Sequence, residues 1–325
     1  MSTRARIATV CQSGRSFSSA QQNREHVLGL LDLAITQGTD LVCLPETFTT
    51  VSLPAQVASE AVETVPGPTT DAVAKRARQH QCYVICPIQT LRDGHSWNSA
   101  VVIDRSGGIL GIYDKIHPVT TSNNYTVFED GLQPASRLPT FDLDFGRIGI
   151  QICFDIGFPE MWEQLAGQGA RIVFWPSAYN GGFPLQAYAY MHHYYVVSSV
   201  RSDRSKIIDP CGVVLAETDQ LSNVIYRDIN LDYLVCHYDF NEGIPDRILA
   251  AYPGRVEIRS HRDDAHFLIE PTDSALTIAE LQRELGFEPT FQYHARHREA
   301  YARILEGKSP LPQQAAHGDR GEWSK

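Results

Sequence analysis

The sequence predicts an α/β fold with layered sheets in its core. Short apolar strands alternate with amphipathic helices along most of the chain, which is the pattern of sheets covered by helices. No linker or shift in composition interrupts this alternation, and we see no internal repeat. With 325 residues, 43% hydrophobic and 20% charged, the chain can bury a substantial core without disulfides or metals.

The first half of the chain begins with a buried strand at residues 7–11. A helix is predicted over residues 21–37, because apolar residues repeat there at helical spacing, and Gly38 ends it. The helix face consists of Val27, Leu30, Leu31, Ala34 and Ile35. Further strands are predicted at residues 41–44, 83–88, 100–103 and 109–113, and a second helix at residues 71–78.

The second half continues the alternation. Strands are predicted at residues 147–153, 171–175, 195–200, 207–208, 213–216 and 224–229, with helices at residues 160–167 and 185–194. The short strands late in this series argue against a simple doubly wound sheet.

The pattern loosens after about residue 235, where no motif can be interpreted. Ile278, Leu281 and Leu285 indicate one late helix, and residues 296–305 another. Pro, Gln, Gly and charged residues dominate the end of the chain, as in flexible tails. We therefore predict a single domain over residues 1–306, with a C-terminal extension from about residue 235, and a flexible tail over residues 307–325.

Composition excludes several classes of function. Lys and Arg number 28 against 38 Asp and Glu, giving a net charge of −10, so we expect no nucleic-acid or membrane partner. No secretory signal or membrane-spanning segment is recognisable. The odd, scattered set of cysteines is typical of reduced cytosolic thiols, so a soluble, cytoplasmic protein is expected. These are Cys11, Cys43, Cys82, Cys86, Cys153, Cys211 and Cys236.

Three reactive side chains follow predicted strands. Glu46 follows residues 41–44, Lys115 follows residues 109–113, and Cys153 ends residues 147–153. Strand ends and the loops beyond them are where α/β proteins place reacting groups. A carboxylate can deprotonate a thiol for attack on a carbonyl or nitrile carbon, and a cation can stabilise the anion that forms.

Each of these signals alone also fits a structural role. A cysteine that ends an apolar strand is more often a core residue. Glu46 after Leu-Pro fits a loop charge, and Lys115 fits a solvated strand end.

The neighbourhoods of these residues together resemble the nitrilase superfamily of carbon–nitrogen hydrolases, over roughly residues 5–232. The order and spacing of the matched stretches agree as well. The stretches are Leu44-Pro-Glu46, Asn98-Ser-Ala-Val-Val-Ile103, Tyr113-Asp-Lys-Ile-His-Pro118, Phe145-Gly-Arg-Ile-Gly-Ile-Gln-Ile-Cys-Phe-Asp155, Phe158-Pro-Glu160, Pro176-Ser-Ala178 and Ile208-Asp-Pro-Cys-Gly-Val-Val-Leu-Ala216.

The resemblance implies a four-layer α-β-β-α sandwich of the nitrilase type, often paired into dimers, with no metal or organic cofactor. It implies that Glu46 is the general base and acid, and that Cys153 is the nucleophile. Lys115 would stabilise the tetrahedral intermediate with the backbone N–H of Phe154.

The resemblance fails at one position. Such proteins carry a second Glu between the Lys and the Cys, seven residues before a Gly. Counting back from Gly131 reaches Asn124, not a Glu. We expect Asn124 at this position, which would lower the pKa of Lys115 relative to a relative with the Glu. Alternatively, Glu129 or Asp130 supplies the carboxylate from a shifted loop.

A second departure follows Pro176-Ser-Ala178. Tyr179 and Asn180 are candidate pocket residues. The aromatic residues 187–195 fit a pocket wall, and equally a core or dimer-facing helix. Arg201, Arg204 and Lys206 form a basic cluster that could bind a substrate carboxylate, although a solvated loop is the preferred interpretation.

No metal-binding or nucleotide-binding motif is recognisable among the histidines, cysteines and glycines. We therefore predict a cofactor-independent cysteine hydrolase of a linear amide or an N-carbamoyl compound that forms a thioester and releases ammonia. The alternatives are a nitrilase, an acyltransferase, and an impaired binding or regulatory protein on the same fold, which Asn124 would favour. The expected partners are a small-molecule substrate and further copies of the chain, in a homodimer or larger homo-oligomer.

Overall fold

The computed structural model describes residues 3–129 and 131–310. The chain divides into two compact units, the first ending at Ile229 and the second beginning at Asn230. The single domain over residues 1–306 stays a prediction. Residues 311–325, most of the predicted tail, lie outside the described part of the chain.

The first unit contains most of the regular structure. Its strands are β1 (Arg4–Val10), β2 (Leu41–Cys43), β3 (Tyr83–Arg92), β4 (His95–Ile103), β5 (Ile109–Asp114), β6 (Phe141–Leu143), β7 (Gly146–Ile150), β8 (Ile172–Ser177), β9 (Tyr195–Val200), β10 (Lys206–Ile208), β11 (Val214–Glu217) and β12 (Val224–Asn230). Its helices are α1 (Ala20–Ile35), α2 (Ala55–Glu60), α3 (Pro68–His80), α4 (Pro159–Gly167) and α5 (Phe183–His192).

One sheet has six strands in the order β12-β1-β2-β3-β4-β5, with β1, β2 and β3 parallel. Helix α1 begins at Ser19, whose side chain accepts a hydrogen bond from the N–H of Gln22, as N-caps do. Its predicted apolar face packs with α3 against this sheet, where Leu31 and Ala34 share a core with Val84.

The other sheet has six strands in the order β11-β10-β9-β8-β7-β6, with β7, β8 and β9 parallel. Helices α4 and α5 supply Trp162, Leu165 and Leu185 to a core shared with Val173 and Val196 of this sheet. The aromatic stretch therefore takes the core alternative in part, since Tyr188 stacks on Trp162 with ring centroids 4.3 Å apart.

The two sheets face each other through polar contacts at their centres. Thr9 Oγ1 donates to the carbonyl of Ser198 at 2.6 Å, and Ser199 Oγ donates to the carbonyls of Val10 and Cys43 at 2.8 and 3.0 Å. Helices thus cover the outer face of each of two stacked sheets. This is the predicted four-layer α-β-β-α sandwich.

The parallel strands also explain where reactive groups gather. In α/β sheets, functional residues lie beyond the carboxyl ends of the strands. Here Glu46 follows β2, Lys115 follows β5, Cys153 follows β7 and Arg201 follows β9.

The second unit has a three-stranded antiparallel sheet in the order β13-β15-β14. Its elements are β13 (Leu234–His237), α6 (Ile244–Ala251), β14 (Val256–His261), β15 (His266–Pro271), α7 (Ile278–Leu285) and α8 (Thr290–Leu305). Helix α7 and the end of α8 lie where late helices were predicted. The three strands were not predicted, although they bury Phe267 and Ile269.

No helix within the described parts of the chain combines the length and the apolar character needed to cross a bilayer. Across residues 3–129 and 131–310, there is also no group of three or more His, Cys, Asp or Glu side chains arranged to hold a metal ion.

Candidate active site

Cys153 lies in a tight turn rather than in a strand. Strand β7 ends at Ile150, three residues earlier than predicted, and Cys153 begins a 3₁₀ turn (Cys153–Gly157). Its φ is 49°, a left-handed conformation that non-glycine residues adopt at a cost and that is frequent at functional sites. The indole N–H of Trp175 donates to the carbonyl of Cys153 at 3.0 Å and helps to hold it. The turn exposes the thiol at the end of β7.

Asp155 anchors this turn from within. Its fully buried carboxylate accepts hydrogen bonds from the N–H of Ile152 and the N–H of His117, both at 2.9 Å. The hydroxyl of Tyr113 donates to it at 2.6 Å. Asp155 thus ties the nucleophile turn to the chain segment that carries Lys115. The sequence placed Asp155 within a matched motif but indicated no role for it.

Lys115 extends β5 and carries a deeply buried ammonium. Its N–H donates to the carbonyl of Asn98 at 2.8 Å, and its side chain is only 1% exposed. Nζ donates to Glu46 Oε1 at 3.1 Å and also to Glu129. Burial alone would lower the pKa of this ammonium, but the negative charges of Glu46, Cys153 and Glu129 outweigh burial and raise the pKa well above its usual value. Lys115 is therefore a fixed positive charge.

Asn98 bridges the same two carboxylates. Its buried Nδ2 donates to Glu46 Oε1 at 2.9 Å and to Glu129 Oε2 at 3.1 Å. One amide and one ammonium thus hold two carboxylates together, and each contact is assisted by charge. The sequence contained Asn98 in a matched stretch, but its contact with Glu46 spans 52 positions and has no local signal.

Glu129, rather than Asn124, stands against Lys115. The expected placement of Asn124 is therefore corrected. Asn124 is exposed and accepts a hydrogen bond from Thr126 Oγ1 at 2.6 Å. Glu129 reaches the site because residues 119–129 fold back on themselves, with the N–H of Glu129 donating to the carbonyl of Val119 at 2.8 Å. The third option, Asp130, lies outside the described residues.

Glu46 is buried and ionised. Burial would raise the pKa of its carboxyl, but the charges of Lys115 and Arg201 and the hydrogen bonds from Asn98 and Lys115 hold the pKa below its usual value. Arg201 Nη2 lies 3.8 Å from Glu46 Oε2. Arg201 thus contacts the site, contrary to the preferred interpretation of a solvated loop.

The Cys153 thiol is protonated in the substrate-free site. Burial raises its pKa to about 11, and the neighbouring Glu46 raises it further than Lys115 lowers it. The hydroxyl of Ser177 and the N–H of Ala178 also interact with the sulfur, favouring its anionic form. The thiol therefore needs a base when it reacts.

The side chains that surround the thiol are aromatic. Phe154 is 43% exposed and packs edge to face against Phe158. Tyr179 is half-exposed and packs edge to face on Trp175. Burial and the charges of Cys153 and Glu46 raise the pKa of Tyr179, which places its phenol near both groups.

Asn180 turns towards Asp203, to which its Nδ2 donates at 3.2 Å. Its role as a pocket residue stays a prediction. The N–H of Phe154 likewise stays a predicted donor to the intermediate.

A family model described as carbon-nitrogen hydrolase matches residues 6–235, more than half of the chain. The chain belongs to the carbon–nitrogen hydrolase family. The predicted enzyme class, a carbon–nitrogen hydrolase, is therefore confirmed, as is the resemblance to the nitrilase superfamily.

This carbon–nitrogen hydrolase is similar to proteins described as amidases. A deaminated glutathione amidase from Synechocystis sp. is 28% identical over 239 residues, which cover 66% of this chain and 88% of the relative. The omega-amidase NIT2 from Homo sapiens is 29% identical over 222 residues, which cover 62% of this chain and 80% of the relative.

Solved structures share the fold of this carbon–nitrogen hydrolase. Nit3 from Saccharomyces cerevisiae, a member of branch 10 of the nitrilase superfamily, aligns with a TM-score of 0.62 and 19% identity, covering 77% of this chain and 95% of Nit3. A variant amidase of Nesterenkonia sp. AN1, with the acetamide moiety of fluoroacetamide added covalently at its active-site cysteine, aligns with a TM-score of 0.60 and 19% identity, covering 70% and 90%.

The site of this carbon–nitrogen hydrolase combines a thiol, a buried carboxylate and a permanently charged ammonium. Groups of these three types can attack a carbonyl carbon, move a proton and stabilise an oxyanion. A second carboxylate and an amide hold the ammonium and the first carboxylate in place, which limits reorganisation during a reaction.

Proposed function

We propose that this carbon–nitrogen hydrolase is an amidase that cleaves a linear amide through a thioester on Cys153 and releases ammonia. The observation that carries the proposal is the buried Lys115 ammonium, held between Glu46 and Glu129. A buried cation held by two carboxylates is costly unless it serves charge that forms during a reaction.

The first step is attack of Cys153 on the amide carbon. Glu46 takes the thiol proton as the sulfur–carbon bond forms, and the carbonyl oxygen becomes an oxyanion. Lys115 Nζ and the N–H of Phe154 stabilise that oxyanion. Because the pKa of the free thiol is about 11, proton removal and attack are expected to occur together once substrate is bound.

The second step breaks the carbon–nitrogen bond. Glu46, now protonated, gives its proton to the leaving nitrogen, and ammonia departs from a thioester. Glu46 then takes a proton from water, the resulting hydroxide attacks the thioester, and the sulfur leaves and recovers the proton from Glu46. One amide and one water thus become one carboxylic acid and one ammonia.

The names of the relatives support an amide as the substrate. The two proteins described above are named deaminated glutathione amidase and omega-amidase. The family match also covers Glu46, Lys115, Glu129 and Cys153.

An N-carbamoyl compound is the second candidate, favoured by Phe145-Gly-Arg-Ile before the nucleophile and by residues 123–131. Its hydrolysis would release carbon dioxide together with ammonia. A nitrile is less favoured because Cys153-Phe-Asp155 replaces the Cys-Trp-Glu typical of nitrilases. The non-catalytic alternative loses its supporting feature, since Glu129 fills the position assigned to Asn124.

The test is ammonia and carbon dioxide release from matched amides, N-carbamoyl amino acids and nitriles, with Cys153→Ala as the control. Ammonia alone from amides, absent in the variant, supports the proposal. Carbon dioxide release would move the assignment to N-carbamoyl compounds. Activity that survives in Cys153→Ala would overturn the mechanism. A thioester trapped by rapid acid quench should appear as an added acyl mass on the peptide that contains Cys153.

A cytoplasmic location and assembly into a homodimer or larger homo-oligomer remain part of the proposal. The cysteines are all free in the structure, which supports a reducing compartment. Light scattering at several protein concentrations tests the assembly.

A further inference from the structure

Arg201 lies one strand away from the residues that contact the nucleophile. Strands β8 and β9 are parallel neighbours, and the N–H of Arg201 donates to the carbonyl of Ser177 at 2.9 Å. The Ser177 hydroxyl interacts with the sulfur of Cys153. Arg201 therefore stands at the same sheet edge as the thiol, on the side of Ser177 away from β7.

The guanidinium of Arg201 uses little of its bonding capacity. Of its five N–H groups, one donates to Thr47 Oγ1 at 3.3 Å. Its contact with Glu46 Oε2 is 3.8 Å long, beyond a hydrogen bond. Oε2 itself is buried and has no hydrogen-bond partner among the described residues. The Arg201 side chain is 25% exposed, so a small molecule can reach it.

The other cations of the basic cluster are engaged elsewhere. Arg204 pairs with Asp203 at 3.3 Å, and Lys206 pairs with Glu217 at 3.6 Å. Arg201 is thus the member of the cluster that faces the reacting groups.

We propose that Arg201 binds the carboxylate of the substrate, and that the amide cleaved at Cys153 belongs to a short molecule with an acid at its other end, such as the monoamide of a dicarboxylic acid. This inference rests on the proposed amidase function. A guanidinium presents paired N–H groups that match the two oxygens of a carboxylate, and those groups are the ones that remain unused.

Binding of an acid at Arg201 would also act on Glu46. The charged groups around Glu46 are Lys115 and Arg201, with the Cys153 thiol beside them and Glu129 across Lys115. After burial and Lys115, Arg201 is the next influence on the pKa of Glu46, and it lowers that pKa. A substrate carboxylate would neutralise Arg201 and release Glu46, so Glu46 would become a stronger base when the correct substrate is bound. The acid end would therefore improve kcat as well as KM.

The test compares succinamic acid with butanamide, and glutaramic acid with pentanamide, which pair an acid end with a methyl end. For the protein with Arg201, kcat/KM should favour the acid member by about 10- to 100-fold. In Arg201→Gln this ratio should fall to near unity, and Arg201→Lys should retain part of it, because Lys keeps the charge but not the paired donors. Arg204→Gln is the matched control and should leave the ratio unchanged.

A second measurement separates recognition from a structural effect. For the neutral amide, the acid limb of kcat/KM should move to higher pH in Arg201→Gln, because the pKa of Glu46 rises when the positive charge is removed. A structural defect would lower the rate without moving the limb. Equal loss of both amides with an unmoved limb, or equal use of acid and neutral amides before mutation, would overturn the inference.

Binding keeps the inference testable if the proposed function fails. Calorimetry with Cys153→Ala should detect succinamic acid, and Cys153→Ala with Arg201→Gln should bind it at least about tenfold more weakly. Absence of turnover for every amide, with this binding intact, would count against the amidase proposal alone. Absence of binding, or binding unaffected by Arg201→Gln, would count against Arg201.

Discussion

Lys115 donates a hydrogen bond from Nζ to the carboxylate of Glu129, fourteen positions further along the chain. The same ammonium donates to Glu46 at 3.1 Å. Two anions around one buried cation keep the cation charged and restrict its orientation. Since Asn98 also joins the two carboxylates, Glu129 helps to position Lys115 and Glu46 together.

Glu129→Gln should lower kcat/KM by about 10²- to 10³-fold, comparable to the loss of one stabilising group around an oxyanion. Glutamine keeps the size of the side chain but removes the charge that holds Lys115. Ammonia release gives the rate, and thermal unfolding shows whether the fold persists. Asn124→Ala is the matched control, and because Asn124 is exposed, its rate should change by less than about threefold. A large loss in Asn124→Ala with little in Glu129→Gln would restore the alignment based on residue counting.

The comparison of these two residues shows why the sequence located part of the site and not all of it. Glu46 and Lys115 follow strands whose apolar pattern is clear in the sequence, so their place at the sheet edge is predictable. Residues 119–129 have no such pattern. Their path depends on local turns such as the bridge between Thr120 and Phe128, and a residue count cannot register how a loop folds back.

Long-range partners were unpredictable for a related reason. Asp155 contacts His117 across 38 positions, and Arg201 contacts Thr47 across 154. These contacts arise only when two sheets stack, and hydrophobic periodicity carries no information about which loops then meet. The strands of the second unit were missed because their residues alternate weakly, as the burial of β14 shows with a single fully buried residue, Val256.

The reactivity of Cys153 should depend steeply on pH. With a pKa raised to about 11 by burial and Glu46, alkylation by iodoacetamide should accelerate about tenfold per pH unit from about pH 7 to about pH 10. Mass spectrometry of the peptide that contains Cys153 measures the rate. Cys153→Ala identifies the signal against the other cysteines. A rate that is already constant at neutral pH would contradict the prediction, since it would require a thiolate in the free enzyme.

Glu46→Gln should have opposite effects on the two reactions of Cys153. The substitution removes a negative charge that raises the pKa of the thiol, so alkylation at about pH 8 should become faster. Amide hydrolysis should fall by at least about 10²-fold because the base and acid are lost. Both rates are measured on one preparation. Parallel loss of alkylation and hydrolysis would indicate a damaged site rather than a missing base.

Asp155→Asn should destabilise the nucleophile turn. The buried carboxylate accepts hydrogen bonds from Ile152, His117 and Tyr113, and an amide in its place turns an N–H towards one of these donors. We expect the free energy of unfolding to fall by about 3 kcal/mol, measured by urea denaturation. The exposed pair of Asp142 with Arg147 supplies the control, since Asp142→Asn should leave the midpoint unchanged. An unchanged midpoint in Asp155→Asn would show that the turn does not depend on the anion.

Asn98→Leu should move the acid limb of kcat/KM to higher pH. Burial pushes the pKa of Glu46 up, while Lys115, Arg201 and the hydrogen bond from Asn98 bring it below its usual value. Leucine fills a similar volume without that bond, so the pKa should rise and more Glu46 should be protonated at low pH. Thr90→Val is a control in the same sheet, because the buried hydroxyl of Thr90 pairs with Ser99 rather than with the carboxylates. If Asn98→Leu only slows the reaction while the limb stays in place, Asn98 supports the local packing, and Lys115 and Arg201 suffice to keep Glu46 ionised.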